Sequence, residues 1–307
     1  MLTPTGELVA AARGNGGAAG AFNVITVEHA EAIVTGAEDA GLPVILQISE
    51  NAVRFHHGRL APIAAAARAV AEAAAVPVGL HLDHVEDSAL VDAALVNGFG
   101  SVMVDASKLP YERNVAFTAA AVRRCHAAGL WVESELGEVG GKDGAHAPGV
   151  RTDPLQAAAF VAATGVDGLA VAVGSSHAMT SRTAALDHEL IARLRVAAGV
   201  PLVLHGSSGV PAAELAAAVR AGMAKVNIGT ALNLAFTGAV RTTLGDRPDL
   251  VDPRRYLAPA RTAMAATVAE SLRLLAAPDF ELLKNTVKAH TYSSLTDLSD
   301  ELPAAEG

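Results

Sequence analysis

The chain has 307 residues, 51% hydrophobic and 18% charged, the composition of a folded globular protein with a large core. A net charge of −9 provides no basic stripe and argues against nucleic acid as the main partner, and the lack of an 18-residue apolar run argues against a membrane span. The single cysteine, Cys125, excludes an internal disulfide; with no signal-peptide pattern at the start, a cytoplasmic location is expected.

Short apolar runs bounded by turn residues recur in chain order. They are GAAGAFNV at 17–24, PVILQIS at 43–49, VPVGLHLDH at 76–84 and SVMVDAS at 101–107. LWVESELG at 130–137, GLAVAVGSSH at 168–177, PLVLHGSSG at 201–209 and KVNIGTALN at 225–233 complete a set of eight. Alanine-rich amphipathic segments lie between them, many closed by a glycine that relieves the left-handed cap. Eight continuous-apolar strands alternating with helices predict a parallel sheet covered by helices, closed as a (β/α)8 TIM barrel of the α/β class. A dinucleotide fingerprint is absent after the first strand, which disfavours an open doubly wound sheet. We expect one catalytic domain over 1–307. It would carry an N-terminal helix, a mobile loop around 138–153 and a helical extension after 234.

In such a barrel, chemistry gathers at the C-terminal strand ends. Here those ends carry Asn23, Ser49, Asp83 with His84, Asp105, Glu135, His177, His205 with Gly206, Ser207 and Ser208, and Asn227 with Thr230. Three of the eleven histidines, His84, His177 and His205, close strands 3, 6 and 7. Three imidazoles converging on one mouth with an open fourth position describe a catalytic zinc site. Asp105 and Glu135 are candidates for a second or alternate metal position, or for orienting the ligands. Strand alternation is read as placing His81 on the face opposite the neighbour of His84, in a packing or supporting role. His29, His56, His57, His126, His146, His188 and His290 are expected at the surface. Cys125 is read as a buried, inert thiol, and Lys225 as a barrel-interior structural residue rather than a Schiff-base nucleophile.

HGSSG after strand 7 and NIGT after strand 8 present small residues, hydroxyls and backbone N–H groups where this fold recurrently binds phosphate. The glycine-rich stretch 137–154 reads as a lid over the mouth, with Lys142 and Asp143 able to reach a bound substrate.

The motifs AFNV, HLDH, SVMVDAS, VESELGEVGGKDG, AVAVGSSH, PLVLHGSSGVP, KVNIGT and DPRRYLAPAR, in this order from about residue 5 to 275, resemble the class II, zinc-dependent ketose-bisphosphate aldolases. That family includes the fructose-1,6-bisphosphate and tagatose-1,6-bisphosphate enzymes. The resemblance implies one zinc ion held by His84, His177 and His205, with Asp105 and Glu135 at an alternate metal site and a monovalent cation as a further candidate. It implies Asp83 as the acid/base for the C4 hydroxyl, and a zinc-stabilised enediolate formed on cleavage to dihydroxyacetone phosphate and an aldehyde such as glyceraldehyde 3-phosphate. Gly206 to Ser208 and Asn227, Ile228, Gly229 and Thr230 would hold the phosphate of dihydroxyacetone phosphate, with Asn23, Ser49 and Ala178 as further substrate contacts. Arg254 would reach across a dimer interface to the other phosphate, implying a homodimer or larger homo-oligomer. Asp143 stands where the family carries a loop glutamate that takes the carbon-bound proton, and Ala178 stands in place of a glycine. Gly229 is small, as in tagatose-type relatives, while Gln47-Ile48-Ser49 looks fructose-type. Another phosphorylated ketose or a deoxy-keto acid, or a non-catalytic sugar-phosphate sensor, are the remaining readings.

Overall fold

The computed structural model describes residues 1–136, 151–175 and 183–276. Eight parallel strands close into a barrel in chain order. They are β1 (Ala19–Asn23), β2 (Val44–Ser49), β3 (Val78–Val85), β4 (Ser101–Val104), β5 (Trp131–Glu135), β6 (Gly168–Ala170), β7 (Leu202–Leu204) and β8 (Met223–Ile228). Closure runs from Ala19 opposite Lys225 to Phe22 opposite Ile228. The helices are α1 (Thr5–Gly14), α2 (Val27–Ala40), α3 (Glu50–Phe55), α4 (Leu60–Ala73), α5 (Ser88–Val96), α6 (Tyr111–Ala127), α7 (Pro154–Thr164), α8 (His188–Ala198), α9 (Ala212–Ala221), α10 (Thr230–Asp246) and α11 (Pro253–Ala276). The expected TIM barrel is therefore present.

Strand alternation sorts the side chains into two environments. Leu46, Ile48, Leu80, Leu82, Val132 and Val226 point outward into the main apolar cluster under the helices. At the N-terminal end, Leu8 and Val9 of α1 pack on Ala19, Ala21, Ile45 and Ala224 and seal the barrel floor. Above that apolar plug the interior turns polar, with Gln47, His81, Asp83, Glu133, Glu135, Lys225 and Asn227 all buried. Helices α2 and α11 meet closely enough that a Cβ on Gly36 would stand 2.3 Å from the carbonyl oxygen of Ala265, so only glycine fits there.

Of the expected strands, β6 and β7 fall furthest short of the runs read. The β6 ladder stops at Ala170 because Thr152 takes up the next backbone groups: its N–H donates to the Ala172 carbonyl at 3.0 Å, and its hydroxyl accepts from the Ala172 N–H at 2.8 Å. The β7 ladder stops at Leu204, and Gly206 turns the chain with a left-handed φ of 65° into a short 3-10 turn over Ser207–Gly209.

His29, expected at the surface, is buried in the first turn of α2. Its ring stacks on Phe236 of α10 at 5.0 Å and its Nδ1 lies 3.0 Å from the Thr26 hydroxyl, a tertiary cover that helix periodicity does not announce. Burial lowers the basicity of this imidazole, with a hydrogen bond to Asn233 offsetting part of the effect. Cys125 is fully buried on α6, and burial pushes its thiol pKa up. We expect a thiol reagent to leave Cys125 unmodified in the native protein at pH 8 and to titrate one thiol in denaturant; the rate of colour development checks this.

Candidate active site

A cavity of about 320 Å³ opens at the C-terminal end of the barrel, lined among others by Asn23, Gln47, Ser49, Asp83, His84, Gly206 to Ser208, Asn227, Gly229 and Thr230. Adjacent residues of a strand ordinarily face opposite ways. Asp83 and His84 nevertheless both reach this cavity, because the pairing of β3 with β4 shifts between Leu82 and Val85 and His84 takes a left-handed φ of 51°. Such a conformation costs a non-glycine residue about 1–3 kcal/mol and is found where function re-aims a side chain. The His84 Nδ1 is held 2.8 Å from Asp105 Oδ2, and the Ser107 hydroxyl donates to the other Asp105 oxygen at 2.6 Å.

Asp83 is the buried carboxylate of the group. Gln47 Nε2 and Asn227 Nδ2 each stand 3.4 Å from one of its oxygens. His81 Nε2 lies 3.8 Å away, so His81 shares the inward face with Asp83, against the reading of the sequence; residues 81 and 83 are two apart on one regular strand. The His81 ring is steadied by Ser101, whose hydroxyl lies 2.8 Å from Nδ1. Burial alone would raise the Asp83 pKa, but the His84, His81 and His205 imidazoles outweigh it and hold the carboxyl well below the usual range. Asp83 is thus ionised, and accepts only.

His205 sits just beyond β7, fully buried, its ring 4.8 Å from that of His84. Its Nε2 lies 2.9 Å from Glu133 Oε1 and its Nδ1 is 3.4 Å from Glu135 Oε2. Burial would lower its pKa; Glu133 and then Glu135 more than compensate and lift it to about 9. Glu133 is itself depressed to about 2, burial being overcome by the Lys225 ammonium and by His205. Lys225 is buried in the barrel interior and paired with Glu133 at 2.7 Å, in keeping with the structural reading.

A depressed carboxylate stabilises the fold above its ordinary pKa of 4.5 and loses that contribution as pH falls through about 2. We therefore expect the urea midpoint to fall as pH is lowered from 4.5 toward 2. The fall should be shallower in Glu133→Gln, read by fluorescence at each pH.

Donor atoms of Asp83, His84 and His205 lie within 4.8 Å of one another, as do those of His84, Asp105 and Glu135. Imidazole nitrogens mixed with carboxylate oxygens, in surroundings that attract positive charge, fit a divalent metal of the zinc type. Two of the three expected ligand histidines are thereby brought together; His177, with Ala178, Lys142 and Asp143, lies outside the described residues.

At the same cavity the Ser207–Gly209 turn meets the N-terminus of α10, where the helix dipole and backbone N–H groups favour an anion. The Ser207 hydroxyl is committed to the Asn227 carbonyl at 2.5 Å, and Ser208 Oγ accepts from the Ala231 N–H at 3.3 Å. Gly229 lines this wall, and a Cβ there would come within 3.0 Å of the Asn23 amide. Gln47 ties Asn23 in place through Nε2 to Oδ1 at 2.5 Å. Ser49 lines the cavity while its oxygen caps α3, accepting from the Ala52 N–H at 3.2 Å.

Two candidates lie elsewhere. Ile228 is buried in the apolar cluster rather than on the cavity, since its neighbours Asn227 and Gly229 take the inward positions. Arg254 projects into solvent at the start of α11, paired with Asp252 at 2.9 Å, and is not among the cavity residues. Sequence reading passed over a rim formed by Glu50, Asn51 and Arg54 of α3 with Glu86 and Lys108. Glu50 pairs with Arg54 and accepts from the Glu86 N–H at 2.7 Å, and Lys108 pairs with Glu86 at 3.1 Å. The i,i+4 spacing of Glu50 and Arg54, directly after a strand end, was the available signal.

Residues 3–280 match the family model for fructose-bisphosphate aldolase class II. A Bacillus subtilis (strain 168) protein described as "Probable fructose-bisphosphate aldolase" is 40% identical over 271 residues, covering 87% of this chain and 95% of its own. The fructose-bisphosphate aldolase of Geobacillus stearothermophilus is 39% identical over 260 residues, covering 83% and 90%. Among solved structures, the YdjI aldolase from Escherichia coli K12 superposes with a TM-score of 0.78 at 32% identity, covering 90% of this chain and 97% of that one. The chain belongs to the class II fructose-bisphosphate aldolase family. It is accordingly an aldolase of a metal-dependent lyase family that acts on sugar phosphates. Among the described residues no helix is long and apolar enough to cross a membrane.

Proposed function

We propose that the protein catalyses reversible aldol cleavage of a ketose 1,6-bisphosphate, fructose-1,6-bisphosphate foremost, to dihydroxyacetone phosphate and glyceraldehyde 3-phosphate. The observation that carries this reading is the cluster of Asp83, His84 and His205 beside a cavity that Asp83 and His84 line together with the glycine-serine turn and the α10 N-terminus. His84 and His205, with His177, would hold a zinc ion, and Asp105 and Glu135 would steady these ligands or offer an alternate position. Zinc, when bound, would polarise the ketone carbonyl and stabilise the negative charge that develops as C3–C4 breaks. Asp83, kept ionised, takes the C4 hydroxyl proton in cleavage and returns it in condensation. Backbone N–H groups of the turn and of α10 grip the phosphate of the three-carbon half, so one carbon faces the aldehyde. Asn23, Gln47 and Asn227 position hydroxyls beside Asp83. Asp143 would exchange the carbon-bound proton, and Ser49 with Arg254 of a second protomer would hold the far phosphate.

Turnover of fructose-1,6-bisphosphate, measured in a coupled assay before and after a chelator and again after Zn2+ is restored, tests this. Full turnover without metal would end it. Tagatose-1,6-bisphosphate is the second substrate to assay, because Gly229 leaves the wall next to Asn23 without a side chain. If Arg254 serves a neighbouring protomer, the protein sediments as a dimer or larger, and Arg254→Ala raises KM for the bisphosphate about 10-fold or more while the sedimentation coefficient is unchanged.

A further inference from the structure

We infer that Lys225 is a positioning residue that orients two site groups at once, His205 and Asn227, from beneath the cavity. The inference rests on the metal-binding reading above. An ammonium has three donors and no acceptor. Lys225 is wholly buried, and its Nζ donates to Glu133 Oε2 and to Asn227 Oδ1, each at 2.7 Å.

The first consequence concerns Asn227. Its amide oxygen must face the ammonium, so its NH2 is turned toward Asp83 Oδ1, 3.4 Å away, and toward the cavity it lines. Residues 225 and 227 lie on the same inward face of β8, so the strand itself delivers the donor to the amide. Without Lys225 the amide could present either end.

The second consequence concerns His205. Glu133 has one oxygen on Lys225 and the other 2.9 Å from His205 Nε2, which therefore carries the hydrogen of that bond. The ring is fixed with Nδ1 toward Glu135 and the neighbouring ligand atoms, the orientation a metal-binding imidazole needs. Lys225 also compensates the buried Glu133 charge, so that a fixed acceptor can exist at this depth.

The test compares the full-length protein with Lys225→Met/Glu133→Gln. This change removes both charges together and so avoids stranding either one in the interior. Zn2+ affinity is measured by competition with a chromophoric chelator, KM and kcat with fructose-1,6-bisphosphate at saturating Zn2+, and thermal melting on the metal-free proteins. The expected result is a Zn2+ affinity about 10–100-fold weaker, with the metal-free variant still melting cooperatively; KM rises more than kcat falls. Zn2+ affinity within twofold of wild type would reduce the pair to packing and overturn the inference. Glu133→Gln alone, which keeps the lysine on Asn227, gives the same Zn2+ readout if the double variant does not fold. Failure of the wild-type protein to take up Zn2+ would instead reject the metal reading itself, and this inference with it.

Discussion

Asp83→Asn is expected to lower kcat for bisphosphate cleavage by about 10²–10⁴-fold while Zn2+ affinity changes far less. The side chain is buried and surrounded by imidazoles that keep it ionised, so it is ready to accept a proton at neutral pH. Asparagine has nearly the same shape and its amide oxygen can still accept from one of the Gln47 and Asn227 amides, but it cannot take the C4 hydroxyl proton. Metal content and circular dichroism should match wild type, separating lost proton transfer from lost structure. A kcat within tenfold of wild type would remove Asp83 from the acid/base role.

The second large effect is expected at the imidazole itself. His205→Ala should weaken Zn2+ binding by more than about 100-fold, beyond what loss of a supporting group alone usually costs. It should also destabilise the metal-free fold by about 1–3 kcal/mol, because Glu133 loses one of its two buried partners. The two readouts are separable: chelator competition reports the first and urea denaturation the second. Retained Zn2+ affinity would take His205 out of the ligand set, leaving the cavity with a different metal geometry or none.

How far the site could be read from the chain differs residue by residue. The apolar runs located all eight strands, because a strand covered by helices must be apolar on its outward face wherever it lies in the sequence. Their polar last residues then marked Asn23, Ser49, Asp105, Glu135 and His205, since only the C-terminal ends of the strands open on the cavity. The same logic failed for His81. It took His81 and Asp83 to lie on opposite faces, although residues two apart on a strand share one; the shift between Leu82 and Val85 and the left-handed φ re-aim His84 alone. It also set aside His29, whose cover comes from α10, about 200 residues further on. Of the rim of Glu50, Arg54, Glu86 and Lys108 only the Glu50–Arg54 spacing was local; the rest was missed because its members sit on a short helix and two loops that meet only in space.

By itself the sequence determined the barrel, the end of it that carries chemistry, and the residue types gathered there, because these follow from local hydrophobic period and chain order. The tertiary structure alone decided which polar groups touch. Asp83 and His84 share a cavity only through a backbone distortion in β3. Lys225, Glu133 and His205 form one chain of contacts only because closure brings β5, β7 and β8 around a common interior. Pairings across so many residues depend on strand register and barrel curvature, and no local pattern encodes either.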